Sequence, residues 1–326
     1  MKAVAIPRFG GADVLETMDL PVPEPGPGEV AIDVAYAGAN YAEILYRRGA
    51  VDVPLPFVPG IEVAGRVRAL GEGVSGLEVG QPVAALTIVN SGGYAEVAVT
   101  DARLAVPAPE GVPLATAAAL PSNSTPAILV WDRIARLRPD EVVLVHAAAG
   151  GVGSQLGQAA RMLGAKRVVG TVGSPAKVEA ANAFGYDEVL LRNEFAERAD
   201  ALTEGKGFDV IVDPVGGETR RASYEALAGG GRLIAMGNAS NGDDVSFGAN
   251  ELWCAGKAVM GFNLAAFSAT HPEVVHAALA RAADALAAGE MRVDVNETLP
   301  LEEAEQAHRR IESGQTTGKI VLAVAP

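Results

Sequence analysis

Cysteine is almost absent from this sequence. The 326 residues include a single one, Cys254, so neither a disulfide within the chain nor a cluster of metal-binding thiolates can form. One thiol suits a reducing compartment, and the expected location is the cytoplasm. Cys254 itself is expected to be a small buried residue.

Positive charge and long apolar runs are also scarce. The chain has 26 Lys and Arg against 40 Asp and Glu, for a formal net charge of −14. Because phosphate-neutralising cations are few, we expect neither nucleic acid nor an anionic membrane as a partner. No apolar run approaches the roughly 20 residues of a membrane span, and residues 1–10 do not have the features of a signal peptide.

Aromatic residues make up only 5% of a sequence that is 49% hydrophobic, so the cores are expected to consist mainly of Val, Leu, Ile and Ala. The length allows two domains of ordinary size. In the first 120 residues, short β-like runs alternate with Gly and Pro, and V-A-I-D-V-A-Y-A from Val30 has the period of a half-buried strand. This predicts a small, irregular, mostly antiparallel β unit.

The character of the sequence changes near Pro121. A helix is predicted over Ser122–Leu137, with Ser122, Asn123 or Ser124 as its N-cap. Strands and helices then alternate, and the strand-like runs include E-V-V-L-V-H, R-V-V-G-T-V, F-D-V-I-V-D and A-V-M-G-F-N-L. Such alternation predicts an α/β fold with a parallel, doubly wound sheet and helices on both faces.

After Phe262 the pattern changes again. Helices are predicted over Pro272–Ala288 and Leu301–Glu312, followed by a closing strand K-I-V-L-A-V. We expect this tail to return to the β unit. The predicted domains are therefore a discontinuous β domain, residues 1–122 and 264–326, and a doubly wound domain, residues 123–263.

A glycine-rich run, V-H-A-A-A-G-G-V-G at residues 145–153, lies between a predicted strand and a predicted helix. Gly150 lets the backbone approach a pyrophosphate, and Gly153 lets the helix lie close to the strand. The phosphates would bind at the helix N-terminus, at Gly151 and Val152. Ala148 replaces the first glycine of the usual fingerprint, but the strand–turn–helix context still predicts a dinucleotide site.

The end of the next predicted strand bears on the choice between NADH and NADPH. An acidic residue usually binds the free ribose 2′-hydroxyl there, whereas T-V-G-S-P-A-K, residues 171–177, has none. This run contains Gly173, Ser174 and Lys177, and Arg192 follows the third strand. Two cations and a hydroxyl suit a 2′-phosphate, so we predict NADPH. The alternative is that both cations are solvated surface charges.

Several motifs along the whole chain belong together. They are H-A-A-A-G-G-V-G-S-Q-L-G-Q from His146, G-A-N-Y-A-E-I-L-Y-R-R-G from Gly38, L-P-F-V-P-G-I-E-V-A-G, G-G-Y-A-E, F-D-V-I-V-D-P-V-G-G, M-G-N-A-S and T-G-K-I-V-L. The set resembles the zinc-free quinone oxidoreductases, the zeta-crystallin-like branch of the medium-chain dehydrogenase/reductase superfamily. The resemblance implies a Rossmann domain for NADPH, an irregular GroES-like β domain for catalysis, and a homodimer through the edge of the Rossmann sheet.

The resemblance also bears on metal binding. Zinc-containing members carry a cysteine near the position of Asn40, a Gly-His-Glu turn and a lobe with four cysteines. Here the turn reads Gly60-Ile61-Glu62, and the histidines stand at positions 146, 271, 276 and 308 without a recognisable ligand motif. A zinc site needs three or four converging ligands. We predict no metal, and His146 is expected in the core of the first Rossmann strand.

Asn40 and Tyr46 are the catalytic residues that the resemblance implies. Asn40 would donate a hydrogen bond to the acceptor oxygen or to the cofactor ribose. Tyr46, with Tyr41, would line the acceptor slot or relay a proton. The alternatives are that Asn40 only stabilises a turn and that Tyr46 only packs. Family tyrosines align with Leu45 and Val51, which indicates a more apolar acceptor pocket here.

Further cofactor contacts are implied at strand and helix ends. Thr125 matches a threonine under the nicotinamide, and Glu43 and Glu62 match acidic positions that are expected to be structural. The complete set of predicted cofactor contacts is Asn40, Thr125, Gly150, Gly151, Val152, Gly153, Gly173, Ser174, Lys177, Arg192, Asn238, Ser240, Phe262, Asn263 and Leu264.

The predicted reaction is zinc-independent hydride transfer from nicotinamide C4 of NADPH to a quinone. Conjugated acceptors need little electrophilic help, whereas a simple ketone needs zinc or a positioned acid. One alternative is reduction of the C=C bond of enones or enoyl thioesters. Another is a regulator or structural protein that binds NADPH without turnover. The expected partner is a small quinone or conjugated carbonyl.

Overall fold

A computed structural model describes residues 1–325 and divides the chain into two compact units. The first, here called the β unit, comprises Met1–Thr125 and Leu264–Pro326. The second, here called the parallel-sheet unit, comprises Pro126–Asn263. One continuous stretch of chain therefore forms the second unit, whereas two separate stretches form the first.

The strands belong to three sheets. Named in chain order, they are β1 (Lys2–Ala5), β2 (Glu16–Asp19), β3 (Glu29–Ala39), β4 (Glu62–Leu70), β5 (Pro82–Leu86), β6 (Val97–Asp101), β7 (Ala105–Pro107), β8 (Val142–His146), β9 (Arg167–Val172), β10 (Glu188–Leu191), β11 (Phe208–Asp213), β12 (Leu227–Ala235), β13 (Ala258–Gly261), β14 (Val295–Pro300) and β15 (Lys319–Ala323).

The helices are mostly short. They are α1 (Tyr41–Arg47), α2 (Leu114–Ala118), α3 (Pro121–Leu129), α4 (Gly151–Met162), α5 (Val178–Asn182), α6 (Phe195–Thr203), α7 (Glu218–Glu225), α8 (Ala249–Ala255), α9 (Leu264–Thr270), α10 (Pro272–Ala287) and α11 (Ala304–Glu312). A π-helix, Val130–Ala135, continues α3, and 3-10 turns cover Ala12–Val14, Ala102–Leu104, Pro175–Lys177 and Leu301–Glu303.

The parallel-sheet unit contains a six-stranded sheet in the order β10-β9-β8-β11-β12-β13. Every neighbouring pair is parallel. The chain runs outwards from β8 to one edge and then from β11 to the other, which is the doubly wound topology. Its strands are continuously apolar because helices cover both faces, and Leu144, Phe208 and Ile211 are among its buried core residues. The predicted Rossmann sheet is confirmed.

The β unit contains a seven-stranded sheet in the order β14-β15-β3-β4-β5-β7, with β6 also paired to β3. Only β14 and β15 pair in parallel, and the other pairs are antiparallel. Strand β15 lies between β14 and β3, so strands from the second stretch of chain complete the sheet of the first. Val30, Ile32, Val63 and Leu322 are among the residues of its core. The predicted GroES-like, mostly antiparallel β domain is confirmed.

The prediction of a half-buried strand from Val30 is wrong. Strand β3 pairs with β4, β6 and β15, and both of its faces are covered. Val30, Ala31 and Ile32 are all 0% exposed, and Ala35 is 8% exposed. The period of two in this strand reflects an alternation of large and small apolar residues, which a count of apolar against polar positions reads as one exposed face.

Two further predictions need correction. Helix α3 begins at Pro121, so Ser122, Asn123 and Ser124 lie inside its first turn and none of them is its N-cap; the Asn123 amide instead donates back to the carbonyl of Ala119 at 3.0 Å. Cys254 is exposed, because all of the last four residues of α8 lie at the surface.

Helix ends in the second half of the chain agree with local signals. Gly164 follows α4 with φ +87°, the left-handed conformation that closes helices. Helix α10 ends one residue before the predicted Ala288, and α11 begins at Ala304 because residues 301–303 form a 3-10 turn. Within residues 1–325, no helix has both the length and the apolar character that crossing a bilayer requires.

Candidate functional site

The glycine turn, residues 147–151, connects β8 to α4. Gly150 is the N-cap of α4 and donates its N–H to the Ala147 carbonyl at 3.0 Å. A Cβ added to Gly150 would lie 3.3 Å from that oxygen, and one added to Gly153 would collide with it. The absence of side chains therefore lets α4 begin in close contact with the turn. The free N–H groups of its first turn form an anion-binding end.

Ala148 shows how this turn is built without a third glycine. It is 0% exposed, and its N–H donates to the Thr171 carbonyl on β9 at 2.9 Å. A Cβ on Gly170 would lie 2.8 Å from the Ala148 methyl group, so the alanine packs directly on β9. The Tyr186 hydroxyl donates to the Gly153 carbonyl at 2.5 Å. Contacts with the neighbouring strand and with Tyr186 therefore hold the turn.

Lys177 and Arg192, here called the cation pair, follow the adjacent strands β9 and β10. Arg192 Nη2 lies 3.7 Å from the position that a Cβ on Gly173 would take. Ser174 precedes the 3-10 turn, and its hydroxyl makes no capping bond. Both cations are half-buried, and burial lowers the pKa of Lys177. Neither has an ion-pair partner among residues 1–325, so this corner carries uncompensated positive charge.

Asp213 orders the loop that follows β11. It is 0% exposed and accepts hydrogen bonds from the N–H groups of Val215 at 2.7 Å and Gly216 at 3.0 Å. Arg220 of α7 pairs with the same carboxylate at 2.8 Å. The D-P-V-G-G motif is therefore a carboxylate-anchored turn at the carboxyl end of the sheet.

Asn238 and Ser240 lie in the exposed loop after β12. The Asn238 amide donates to the Gly242 carbonyl at 3.0 Å and accepts from the Ser240 hydroxyl at 3.3 Å. A Cβ on Gly216 would collide with Asn238, so the loops after β11 and β12 pack together. After β13, Phe262 is buried and Asn263 is exposed. All the predicted contacts of this unit therefore follow the carboxyl ends of its parallel strands.

His146 ends β8 and is fully buried. Its Nδ1 shares a hydrogen bond with the Thr171 hydroxyl at 2.7 Å, and its Nε2 shares one with the Ser223 hydroxyl at 2.8 Å. Burial lowers the pKa of His146 to about 4. The ring is therefore a neutral core residue that joins β8 to β9 and α7.

A group of polar side chains in the β unit, here called the amide cluster, comprises Asn40, Glu43, Glu62, Ser122 and Lys319. Asn40 joins β3 to α1, and its Nδ2 donates to Glu62 Oε1 at 3.1 Å. Its Oδ1 accepts hydrogen bonds from the Ser122 hydroxyl at 2.9 Å and from the Lys319 ammonium. The predicted catalytic amide is thus connected to β4, α3 and β15.

Glu62 and Lys319 form a buried ion pair in this cluster. Their side chains are 0% and 5% exposed, and Lys319 Nζ lies 2.6 Å from Glu62 Oε1. Lys319 also donates to the Ala39 carbonyl at 3.1 Å. Glu62 Oε2 accepts the backbone N–H of Ser122 at 2.7 Å. Both charges are paired and hydrogen-bonded, as burial of an ion pair requires.

Glu43 is the second carboxyl group of the cluster and is 0% exposed. Its Oε1 accepts the Ile61 N–H at 3.1 Å, while its Oε2 has no hydrogen-bond partner within residues 1–325. Burial raises the pKa of Glu43 to about 7, although Lys319 acts in the opposite direction. With Glu43 protonated the cluster is neutral, because the Glu62 and Lys319 charges cancel.

The other predicted residues of the β unit lie in apolar surroundings. Tyr46 is half-buried, packs edge-on against Phe57 with ring centroids 5.4 Å apart, and has a pKa that burial raises. Thr125 is 0% exposed, and its hydroxyl has no partner in the part of the chain that the structure describes. Tyr41 and Leu264 are half-buried at the first positions of α1 and α9.

Lys319 and Ser122 were not among the sequence-predicted site residues. The signal for Lys319 is a lysine that opens the apolar run K-I-V-L-A-V, and a cation in such a strand needs a buried partner. Among residues 1–325, no three His, Cys, Asp or Glu side chains are grouped to hold a metal ion. The absence of a metal stays a prediction.

Comparison with known families places both halves of the chain. Residues 26–110 match the family described as Alcohol dehydrogenase GroES-like domain. Residues 184–322 match the family described as Zinc-binding dehydrogenase. The first match falls within the β unit, and the second covers parts of both units.

Similar proteins align with nearly the whole chain. A quinone oxidoreductase of Pseudomonas aeruginosa is 33% identical over 324 residues, which cover 98% of this chain and 99% of that protein. The crystal structure of the Pseudomonas syringae pv. tomato quinone oxidoreductase has a TM-score of 0.91 at 33% identity and covers 99% of each chain. The Escherichia coli quinone oxidoreductase complexed with NADPH has a TM-score of 0.88 at 30% identity, covering 99% of this chain and 100% of that chain. This chain therefore belongs to the quinone oxidoreductase family of the medium-chain dehydrogenases/reductases.

Proposed function

We propose that this protein is an NADPH-dependent quinone oxidoreductase. The observation that carries the proposal is the phosphate site of the parallel-sheet unit, where a side-chain-free turn opens α4 and a cation pair without ion-pair partners in residues 1–325 follows the neighbouring strands. Such an end binds a pyrophosphate, and the cations suit a 2′-phosphate. The E. coli relative complexed with NADPH supports the same cofactor.

The residues present fit NADPH. In the parallel-sheet unit, Gly150, Gly151, Val152 and Gly153 would hold the pyrophosphate, while Gly173, Ser174, Lys177 and Arg192 would hold the 2′-phosphate end. Asn238, Ser240, Phe262 and Asn263 would contact the nicotinamide half. In the β unit, Leu264, Asn40 and the unpartnered Thr125 hydroxyl are the proposed contacts.

The chemistry needs a donor more than an acid. NADPH, when bound, supplies a hydride from nicotinamide C4, which with one proton converts a quinone into its hydroquinone and leaves NADP⁺. Asn40 would donate Nδ2–H to the acceptor oxygen as negative charge develops there. Tyr46 would line the acceptor slot and pass on a proton. Because conjugation spreads the arriving charge, we propose that no metal takes part.

Turnover with a panel of acceptors tests the proposal. Purified protein should oxidise NADPH in the presence of soluble benzoquinones and naphthoquinones, and Asn40→Ala should lower kcat by roughly 100-fold, as loss of an oxyanion donor does. Turnover with enones or enoyl thioesters alone would replace the proposal with C=C reduction. Tight NADPH binding without turnover of either class would instead favour a regulator or structural protein.

Chelation tests the metal proposal. Dialysis against EDTA should leave kcat with a quinone within about twofold of its starting value, because no residue of the proposed chemistry depends on a metal. Elemental analysis of the protein before dialysis should give far less than one zinc per chain. A stoichiometric zinc whose removal abolishes turnover would contradict this.

We further propose that residues 1–122 and 264–326 are the catalytic domain and residues 123–263 the NADPH-binding domain. A homodimer through β13 is proposed because β13 is the outermost strand of its sheet and Trp253, on the preceding helix, is 79% exposed. Unpaired strand edges and exposed large apolar residues are typical of pairing surfaces. A cytoplasmic location suits the single free thiol.

A further inference from the structure

The amide of Asn40 has only one orientation that its neighbours accept. Its Oδ1 faces two hydrogen-bond donors, the Ser122 hydroxyl and the Lys319 ammonium. An ammonium group can only donate. A flipped amide would place its NH₂ group against that ammonium and its oxygen against the carboxylate of Glu62. The partners of Asn40 therefore fix which end of the amide is which.

The remaining hydrogen-bonding capacity of Asn40 is on nitrogen. Oδ1 already accepts two hydrogen bonds. Nδ2 donates one N–H to Glu62 at 3.1 Å, while its distances to the Gly38 carbonyl and Glu43 Oε1 are both 3.4 Å. These two distances are longer than a good N–H···O bond. Asn40 can therefore offer a ligand an N–H donor and cannot offer an acceptor.

Lys319 also changes the strength of that donor. Its Nζ is almost fully buried and bonds directly to the amide oxygen. A positive charge on the oxygen side of an amide withdraws electron density from its nitrogen, and chains of hydrogen bonds polarise one another in a low dielectric. Glu62 balances the charge of the lysine, so the effect is obtained without a net buried charge.

We propose that Lys319 is a positioning residue, which acts through Asn40 Oδ1 to fix and strengthen Asn40 Nδ2–H as the donor to a carbonyl oxygen of the acceptor. The inference rests on the proposed function and narrows it. The acceptor must carry an oxygen that accepts a hydrogen bond and gains negative charge on reduction, as the carbonyl oxygen of a quinone does. Ser122 contributes to the same fixation through its hydroxyl.

A double-mutant cycle tests the kinetic part. Lys319→Met should lower kcat with a naphthoquinone about tenfold at nearly unchanged KM, less than the loss expected for Asn40→Ala. In the Asn40→Ala background, Lys319→Met should change kcat by less than about twofold, because its route to the acceptor is gone. Equal losses in both backgrounds would overturn the proposal. Ser122→Ala, which buries no new charge, repeats the cycle if Lys319→Met does not fold.

A matched control separates this role from a general effect of removing a lysine. Lys257 is half-buried and donates to the carbonyls of Tyr224 and Glu225 at 2.9 and 3.0 Å, without contact to the amide cluster. Lys257→Met should leave kcat within about twofold of the wild-type value and should show the same loss, if any, with or without Asn40.

The side-chain amide signals of Asn40 test the positioning independently of turnover. In ¹⁵N-labelled protein they are the pair that disappears in Asn40→Ala. Lys319→Met and Ser122→Ala should shift this pair, whereas Lys257→Met should not. Unshifted signals would overturn the positioning role. Shifted signals in a protein that reduces no quinone would uphold that role and overturn the proposed function.

Discussion

At the scale of single residues, cofactor choice depends on two positive charges. Lys177→Ala and Arg192→Ala should each weaken NADPH binding about tenfold or more, because a charge-assisted bond to a phosphate contributes about 1.5–3 kcal/mol. NADH lacks the 2′-phosphate, so its Kd should change by less than about twofold. Fluorescence titration of each variant with both cofactors measures the preference.

Lys166 supplies the control for this experiment, since it is an exposed lysine of the same unit that precedes β9. Lys166→Ala should leave both dissociation constants unchanged. An unaltered preference for NADPH over NADH in Lys177→Ala and Arg192→Ala would mean that the two cations are ordinary surface charges.

Glu43 gives the stability of the fold a dependence on pH. Its pKa rises from 4.5 to about 7 on burial, so the folded chain keeps a proton that the unfolded chain has released between these values. Stability therefore falls as pH rises from about 4.5 to 7 and is level above that. Urea denaturation should show wild type losing about 2–3 kcal/mol more than Glu43→Gln between pH 5 and pH 8.

The comparison isolates one group, because Glu43→Gln keeps the shape and removes the titration. Glu72→Gln, at an exposed turn, should follow the wild-type profile. Parallel pH profiles for wild type and Glu43→Gln would show that the buried carboxyl does not titrate in this range.

Residue-level prediction from the sequence succeeds where the signal is local. The glycine turn and its conformation follow from neighbouring residues, and so does the lack of an acid near Ser174. Lys319 could not be assigned to the amide cluster in the same way, because its partners lie about 280 positions earlier. Its place depends on β15 pairing with β3 in one register, and no short stretch of sequence encodes that pairing.

At the scale of elements, the joint between β8 and α4 depends on one missing methyl group. Gly153→Ala would bring a Cβ against the Ala147 carbonyl, so the helix must lift from the turn. We expect a loss of about 1–3 kcal/mol in the free energy of unfolding, as overpacking typically costs, together with much weaker NADPH binding. Urea denaturation and cofactor titration measure the two effects.

Gly229→Ala is the matched control, since a Cβ at Gly229, on β12, meets no atom within 4 Å. It should leave NADPH binding unchanged. Normal NADPH affinity in Gly153→Ala would contradict the idea that this close contact builds the phosphate site.

Elements were predictable in kind and less so in their edges. The strand–helix alternation gave the parallel sheet because each strand is a short apolar run between turns. The burial of β3 was missed, since alanine on a covered face looks like a weak signal until the neighbouring strands are known. The cap of α3 was placed up to three residues late, because Pro121 can open a helix itself and the polar residues after it bond elsewhere.

At the scale of the whole molecule, the homodimer is open to a direct test. Light scattering on purified protein should give twice the mass of one chain, and Trp253→Asp should yield monomers, because a charge at an apolar contact opposes pairing. The exposed valine Val79, 67% accessible in the β unit, provides the comparison. Val79→Asp should remain dimeric, and a dimeric Trp253→Asp would locate the interface elsewhere.

The composition of the whole chain limited function more than it specified it. Few cations excluded nucleic acid as an expected partner, and one cysteine excluded thiolate clusters. The acceptor is not encoded in any single motif, because its slot is formed by side chains from distant positions such as Asn40 and Lys319.

The order in which the sheet of the β unit is assembled has a consequence for biosynthesis. The parallel-sheet unit is one continuous stretch and can fold once residue 263 has left the ribosome. The β unit must wait for β15, which lies between β14 and β3, so its earlier strands spend the intervening synthesis time with an unpaired edge. Lys319 arrives with that last strand, and the polar cluster around Asn40 is therefore among the final parts of the newborn chain to become native.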